Sequence, residues 1–300
     1  MDIEKIRAFL TLAQYKNFSE AADALYISQP ALSKQIRTLE EQLQAQLFAR
    51  SHKETLLTVY GKAFMPYART LLSSWQNAQE QLRQIDDLEQ GTLNFGATNF
   101  IGVYLVPEFL ASFHKLYPGI TLNMTINASR SLLSRLHSYQ VEFLLLSNYV
   151  ELEEGRYERI PWLQDELKVI VGRENPLFAQ SEISLETLNT QLWITKNASS
   201  SLYHFLKKKL SSTGLELRNP LFISNQEGIK QAVIHNLGVA ILSPKAVEVE
   251  IQAGLVKALP LTGYPLTREI QIVYEKGATL TPAAKEFLRL LRGKTEGGRK

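Results

Sequence analysis

The sequence predicts an α head and an α/β body joined by one long helix. Three observations predict it. Residues 18 to 43 hold two helical patterns around a three-residue break, residues 58 to 90 carry apolar side chains at alternating steps of four and three, and strand and helix patterns alternate from Gly91 onward.

In the first segment, Ala21, Ala22 and Leu25 repeat at helical spacing after Ser19, which is expected to cap that helix. Tyr26 to Ser28 interrupts the pattern, and Leu32, Ile36 and Leu39 resume it on one face. Ser28 is the expected N-cap of the second helix, and Pro30 falls in its first turn, where a missing N–H costs nothing. Gln29, Ala31, Ser33 and Lys34 are short or hydrogen-bonding, which suits a helix that lies in a major groove and touches base edges. A purely structural helical hairpin fits the same pattern. After it, Leu47 and Phe48 can anchor to a small core while Arg50 to Glu54 make a polar turn between short extended pieces. Such a wing would bring Arg50, His52 and Lys53 to backbone phosphates; an ordinary solvated hairpin tip is the alternative.

From Thr58 to Gln90 a helix is expected, with Phe64, Ala68, Leu71, Trp75, Ala78, Leu82 and Ile85 forming a heptad seam that a second copy of the chain would cover. Packing on the rest of the same chain is the alternative. Pro66 demands a later start or a bend. Gly91 is expected to end the helix.

The body then reads strand (TLNFGAT), helix (Val103 to Tyr117, ended by Pro118 and Gly119), strand (ITLNMTI), helix (Ser131 to Tyr139) and buried strand (EFLLLS). After a break near Pro161 the pattern returns as LKVIVG, QLWIT, a helix from Ser201 to Leu210, LFIS, a helix from Gln226 to Asn236, and GVAILS. A last strand, REIQIVYE, and a helix from Pro282 to Leu291 return to the first lobe, so the chain crosses between lobes near Pro161 to Glu166 and Pro260 to Pro265. The expected division is 1–58 for the winged head, 59–90 for the linker helix and 91–300 for the body. Lobe I is expected at about 91–163 with 267–293, and lobe II at about 164–266.

Open α/β sheets bind ligands at the carboxyl ends of their strands, and two such lobes enclose a cleft. Thr98, Asn99, Asn127, Ser129, Thr195, Ser199, Ser200, Ser224 and Asn225 stand where strands hand over to helices. Free N–H groups at helix N-termini favour anions, so a carboxylate-, phosphate- or sulfate-bearing metabolite is the expected ligand. Plain helix capping accounts for any one of these residues equally well.

Composition narrows the function further. The net charge is +3, yet residues 1 to 61 hold seven Lys or Arg against seven Asp or Glu, so a case for DNA rests on where Lys34, Arg37, Arg50 and Lys53 sit. Zero cysteines remove disulfides, thiolate nucleophiles and thiol redox sensing. No secretory pattern opens the chain and no run approaches the roughly 20 apolar residues that span a bilayer, so a cytoplasmic location is expected. His52, His114, His137, His204 and His235 stand apart without metal-ligand spacing; there is no phosphate-binding glycine loop and no G-x-S-x-G elbow. No metal, cofactor or catalytic role is expected.

SQPALSKQIRTLEEQL, then LFAR, then Leu57-Thr58-x-x-Gly61, in this order near the amino terminus, resemble the LysR-type transcriptional regulators. The resemblance covers essentially the whole chain. It implies a winged helix-turn-helix, a dimerising linker helix and an effector domain like the periplasmic binding proteins, assembled as a dimer or tetramer. It also implies double-stranded DNA, a small-molecule effector and RNA polymerase as partners, with activation as the usual output and autorepression as a second. DNA contacts carry over onto Ser28, Gln29, Pro30, Ser33, Lys34, Arg37, Arg50 and Lys53, and effector contacts onto Thr98, Asn99, Asn127, Ser129, Thr195, Ser199 and Asn225. The family's Gly-x-x-Asp turn is replaced by Gln140 to Phe143, with Glu142 in the acidic position. A transport-associated solute-binding protein is the main rival, and an enzyme using the cleft a weaker one.

Overall fold

The computed structural model describes residues 2–50, 55–84, 88, 90–214 and 220–297. The head packs α1 (Ile3–Tyr15), α2 (Phe18–Ala24) and α3 (Gln29–Leu43) around one core of Ile6, Phe9, Leu12, Ala21, Leu32, Ile36 and Leu39. The first cap differs from expectation. Asn17, not Ser19, starts α2, because its side-chain oxygen already accepts from the backbone N–H groups of Ser19 (2.8 Å) and Glu20 (3.4 Å). Tyr26 makes the sharp turn between α2 and α3 in the left-handed region, φ 55°, with its ring in solvent. Strands β1 (Phe48–Arg50) and β2 (Thr55–Leu57) pair antiparallel to form the arms of the wing. Its tip, with His52 and Lys53, lies outside the described residues, as does the Arg50 side chain.

The Leu57-Thr58-x-x-Gly61 motif has a local cause. Thr58 Oγ1 donates to Gln46 O (2.6 Å) and accepts from Gly61 N–H (3.0 Å), so it caps the following helix and ties it to β1's approach. A Cβ on Gly61 would stand 2.2 Å from Leu47 O, so only glycine lets the chain pass. From there α4 (Val59–Gln84) runs with Pro66 inside it. The described helix ends at Gln84, and Ile85, expected to complete the seam, lies outside the described residues; Gly91, expected to end the helix, opens the next strand. The apolar stripe divides in two. Phe64 and Ala68 pack on the head, whereas Leu71, Trp75 and Leu82 are exposed.

The body holds β3 (Gly91–Ala97), α5 (Pro107–Leu116), β4 (Ile120–Ile126), α6 (Ser129–His137), β5 (Phe143–Ser147), β6 (Tyr157–Gly172), α7 (Leu185–Asn189), β7 (Ile194–Thr195), α8 (Ser201–Ser211), β8 (Leu221–Phe222), α9 (Gln226–Ile234), β9 (Ala240–Leu242), α10 (Glu248–Gln252), β10 (Val256–Leu259), β11 (Leu266–Glu275) and α11 (Pro282–Gly297). The helix expected from Val103 to Tyr117 is a π-helical turn, Ile101–Leu105, followed by α5, which Pro107 starts. In lobe I, β3 pairs parallel with β4 and β5. Alternate residues of β5 explain its unbroken apolar run: Phe143 and Leu145 face one core with Phe95, Phe113 and Phe287, and Leu144 and Leu146 face another with Leu132 and Leu136.

No break falls at Pro161. β6 is continuous for 16 residues and pairs antiparallel with β11 from Tyr157 to Leu167, then with β10 and β9 in lobe II. Both crossings between lobes are paired strands, β6 and β11; Pro260 to Pro265, where the second was expected, is a turn that stays with the lobe II core through Leu261 and Tyr264. Proline is tolerated because the register slips at Ile270/Gln271, leaving a bulge beside Pro161 where no ladder donor is needed.

The turn before β5 works without the family's glycine. Tyr139 takes the left-handed conformation, φ 54°, and the buried Glu142 carboxylate accepts from Thr281 N–H (2.8 Å) and Oγ1 (3.1 Å). Burial pushes the Glu142 carboxyl up from its ordinary value. The linker helix is fastened to lobe I nearby: Asn77 Nδ2 donates to Tyr139 O (2.9 Å), and Glu80 accepts from Thr92 N–H (2.7 Å).

Candidate DNA interface and interlobe cleft

On α3 the buried face is Leu32, Ile36 and Leu39; Gln29, Ser33 and Arg37, at successive steps of four, run along the flank beside it, and Lys34 stands opposite. Ser28 caps the helix by accepting from Ala31 N–H (3.4 Å), and Pro30 occupies the first turn. Ser28, Gln29, Pro30, Lys34 and Arg37 are exposed, and Ser33 is half-buried. Arg37 Nε donates to Glu41 at 2.8 Å, an exposed pair on one helix face. A phosphate could replace that carboxylate. Glu40 has a structural role: one oxygen accepts from the N–H groups of Leu47 (2.7 Å) and Phe48 (3.1 Å), fixing β1 against α3.

Between the lobes lies a cavity of about 350 Å³. Six of the seven expected residues line it: Thr98, Asn99, Asn127, Ser129, Ser199 and Asn225. Thr195 does not. It is buried on β7, where its carbonyl accepts from Ile223 N–H (2.9 Å), and the next residue, Lys196, turns to the cavity instead. Asn225 also caps α9 by accepting from Gly228 N–H (2.6 Å), so capping and cavity lining coexist in one side chain. Across the mouth, Ser129 and Ser201 hydroxyls of opposite lobes meet at 3.1 Å.

The charged lining was missed at the sequence level. Arg130, Lys196 and Arg268 face the cavity, and among the described residues no aspartate or glutamate lines it. Arg268, at the lobe crossing, is buried. Its Nε donates to Asp165 Oδ2 at 2.7 Å, its Nη1 donates to Tyr149 OH at 3.2 Å, and its guanidinium lies 4.3 Å from the Phe100 ring centre. Asp165 also accepts from Ser243 Oγ (2.7 Å). Lys196 has no carboxylate partner among the described residues. Burial first, then the charge of Arg268, holds its ammonium below the usual lysine range. The cavity is therefore short of negative charge.

A helix-turn-helix head, fastened through a long helix to a cation-lined cleft between two lobes, defines a DNA-binding regulator that answers to a small molecule. Two family models match: the "Bacterial regulatory helix-turn-helix protein, lysR family" over residues 3–62 and the "LysR substrate binding domain" over residues 86–296. The chain belongs to the LysR family of transcriptional regulators. It is 27% identical over 292 residues to the HTH-type transcriptional regulator CysL of Bacillus subtilis, covering 97% of each chain. Its fold matches CbnR, solved in complex with its target DNA, at TM-score 0.75 and 18% identity, over 98% of this chain and 99% of that one. The body matches the CcmR regulatory domain of Synechocystis, solved with 2-PG, at TM-score 0.63 and 24% identity, over 69% of this chain and 98% of that one. Among the described residues no helix is long and apolar enough to cross a membrane.

Proposed function

We propose that the effector is an anion held between the lobes, and that its binding changes how paired heads sit on palindromic DNA to activate transcription through RNA polymerase. Repression of the protein's own gene is the second output. The observation that carries this reading is the lining itself: three basic side chains, no acidic one among the described residues, and hydroxyl-bearing residues at the starts of α6 and α8. That CcmR was solved with 2-PG adds support. The exposed Leu71, Trp75 and Leu82 on α4 support a homo-oligomer, since a second copy of that stripe would cover them. Gln29 and Ser33 are assigned to base edges, and Lys34, Arg37, Arg50 and Lys53 to phosphates.

Footprinting of the DNA flanking the protein's gene, with and without an anionic metabolite panel, tests the whole. A metabolite-dependent footprint is expected; no protection under any condition refutes the regulator reading. Affinity for the anion is expected to fall as pH rises through the alkaline range, beginning below the ordinary lysine value because Lys196 gives up its proton early. An affinity flat to the ordinary lysine range removes Lys196 from the contact.

A further inference from the structure

Tyr149 joins three things that the cleft must coordinate. Its side chain packs on the lobe I core and lines the cavity, and its ring stacks on Phe205 of α8 with centroids 4.7 Å apart and planes at 25°. Phe205 in turn packs on the lobe II core. The Tyr149 hydroxyl accepts from Arg268 Nη1. One side chain thus touches both lobes and the buried cation between them.

Arg268 is over-determined on one side and open on the other. A guanidinium carries five N–H donors. Nε is committed to Asp165 and one N–H of Nη1 to Tyr149, while the residue also lines the cavity, so the remaining donors are those offered to a ligand. Two fixed donors set the plane of the guanidinium, and a fork held in one plane loses little freedom when it binds an anion. Phe205 lines neither the cavity nor its outer mouth. Its routes to the ligand are the stack on Tyr149 and α8 itself, whose Ser201 and Leu202 line the cavity.

We propose that Tyr149 is the positioning residue of the effector site: its hydroxyl orients Arg268 for the anion, and its stack on Phe205 ties that orientation to lobe II. This rests on the anionic reading of the cleft given above. An anion drawing on the same guanidinium strengthens or strains the Tyr149 contact, and the stack passes the change to α8, whose Ser201 meets Ser129 across the mouth.

The test titrates inorganic phosphate and sulfate into the full chain and three variants by calorimetry, with thermal melting alongside. Tyr149→Phe keeps the ring and removes the hydroxyl; it should weaken anion binding about three- to tenfold with the melting point unchanged. Phe205→Leu should weaken it by a similar factor although it removes no cavity atom, and Phe205→Tyr, which keeps a ring for the stack, should restore wild-type affinity. Saturable wild-type binding with unchanged affinity in Tyr149→Phe overturns the positioning role alone, as does equal affinity in Phe205→Leu and Phe205→Tyr. No saturable binding of either anion by the wild-type chain overturns the anionic reading and the positioning role with it.

Discussion

The head and the cleft solve the problem of presenting charge in opposite ways. On α3 the charged side chains proposed to meet DNA, Lys34 and Arg37, stand in solvent on a helix whose start is set by Ser28, three residues from the N–H it caps. In the cleft the working cation is buried, and its partner Asp165 lies 103 residues away in sequence. Exposed charge is cheap to hold and easily screened, so the head needs only a firm helix. Buried charge must be compensated on all sides, so Arg268 needs Asp165, Tyr149 and Phe100 at once.

The largest expected effect comes from breaking that compensation. Arg268→Ala leaves Asp165 buried with Ser243 as its remaining side-chain partner among the described residues and should cost about 3–5 kcal/mol of stability, read from the denaturant midpoint. Lys34→Ala on the head should stay within about 0.5 kcal/mol. Similar losses from the two would erase the distinction between the regions.

The same distinction decides what could be read from the chain alone. The helix pair, the Ser28 cap, the wing strands and the polar strand ends are local, so spacing of a few residues was enough to find them. Arg268 sits inside REIQIVYE, where it reads as one more position in a strand, and nothing near it names Asp165. Lys196 was hidden behind Thr195, because a strand ending in a hydroxyl fits a cleft residue but a two-residue strand points that hydroxyl into the core. Pro161 misled for a physical reason: proline breaks a ladder only where its N–H is needed, and the bulge removes the need. Asn17 was overlooked as the α2 cap because Ser19 fits the same role two residues later.

A second comparison concerns specificity. Gln29→Ala should lose about 1–3 kcal/mol of discrimination at one base position, without a change in melting point, because the side chain is exposed and borrows nothing from the core. Lys34→Ala should weaken binding to every sequence alike and lower the salt slope by about one. Operator variants titrated at several salt concentrations separate the two. A uniform loss from Gln29→Ala would move it from base reading to phosphate contact.

Next in size is the cap. Ser28→Ala removes an acceptor from Ala31 N–H, a bond that is long at 3.4 Å, and should cost about 0.5–1 kcal/mol in thermal or chemical unfolding. A cost above about 2 kcal/mol would mean that the head depends on its recognition helix more than its own core suggests.

The smallest effect is the sharpest contrast, since two ion pairs of almost equal length can be set side by side. Arg37–Glu41 is 2.8 Å long with side chains 81% and 59% exposed; Arg268–Asp165 is 2.7 Å long with both 3% exposed. Glu41→Ala should cost only about 0.3–0.5 kcal/mol of stability, since water and salt already weaken an exposed i,i+4 pair. It should also tighten DNA binding, because Arg37 no longer trades a carboxylate for a phosphate and one repelling charge leaves the interface. Unfolding and DNA titration of the same variant therefore move in opposite directions. If both weaken together, Glu41 orients Arg37 for the phosphate rather than competing with it, and the head shares the cleft's reliance on a second residue to aim its cation.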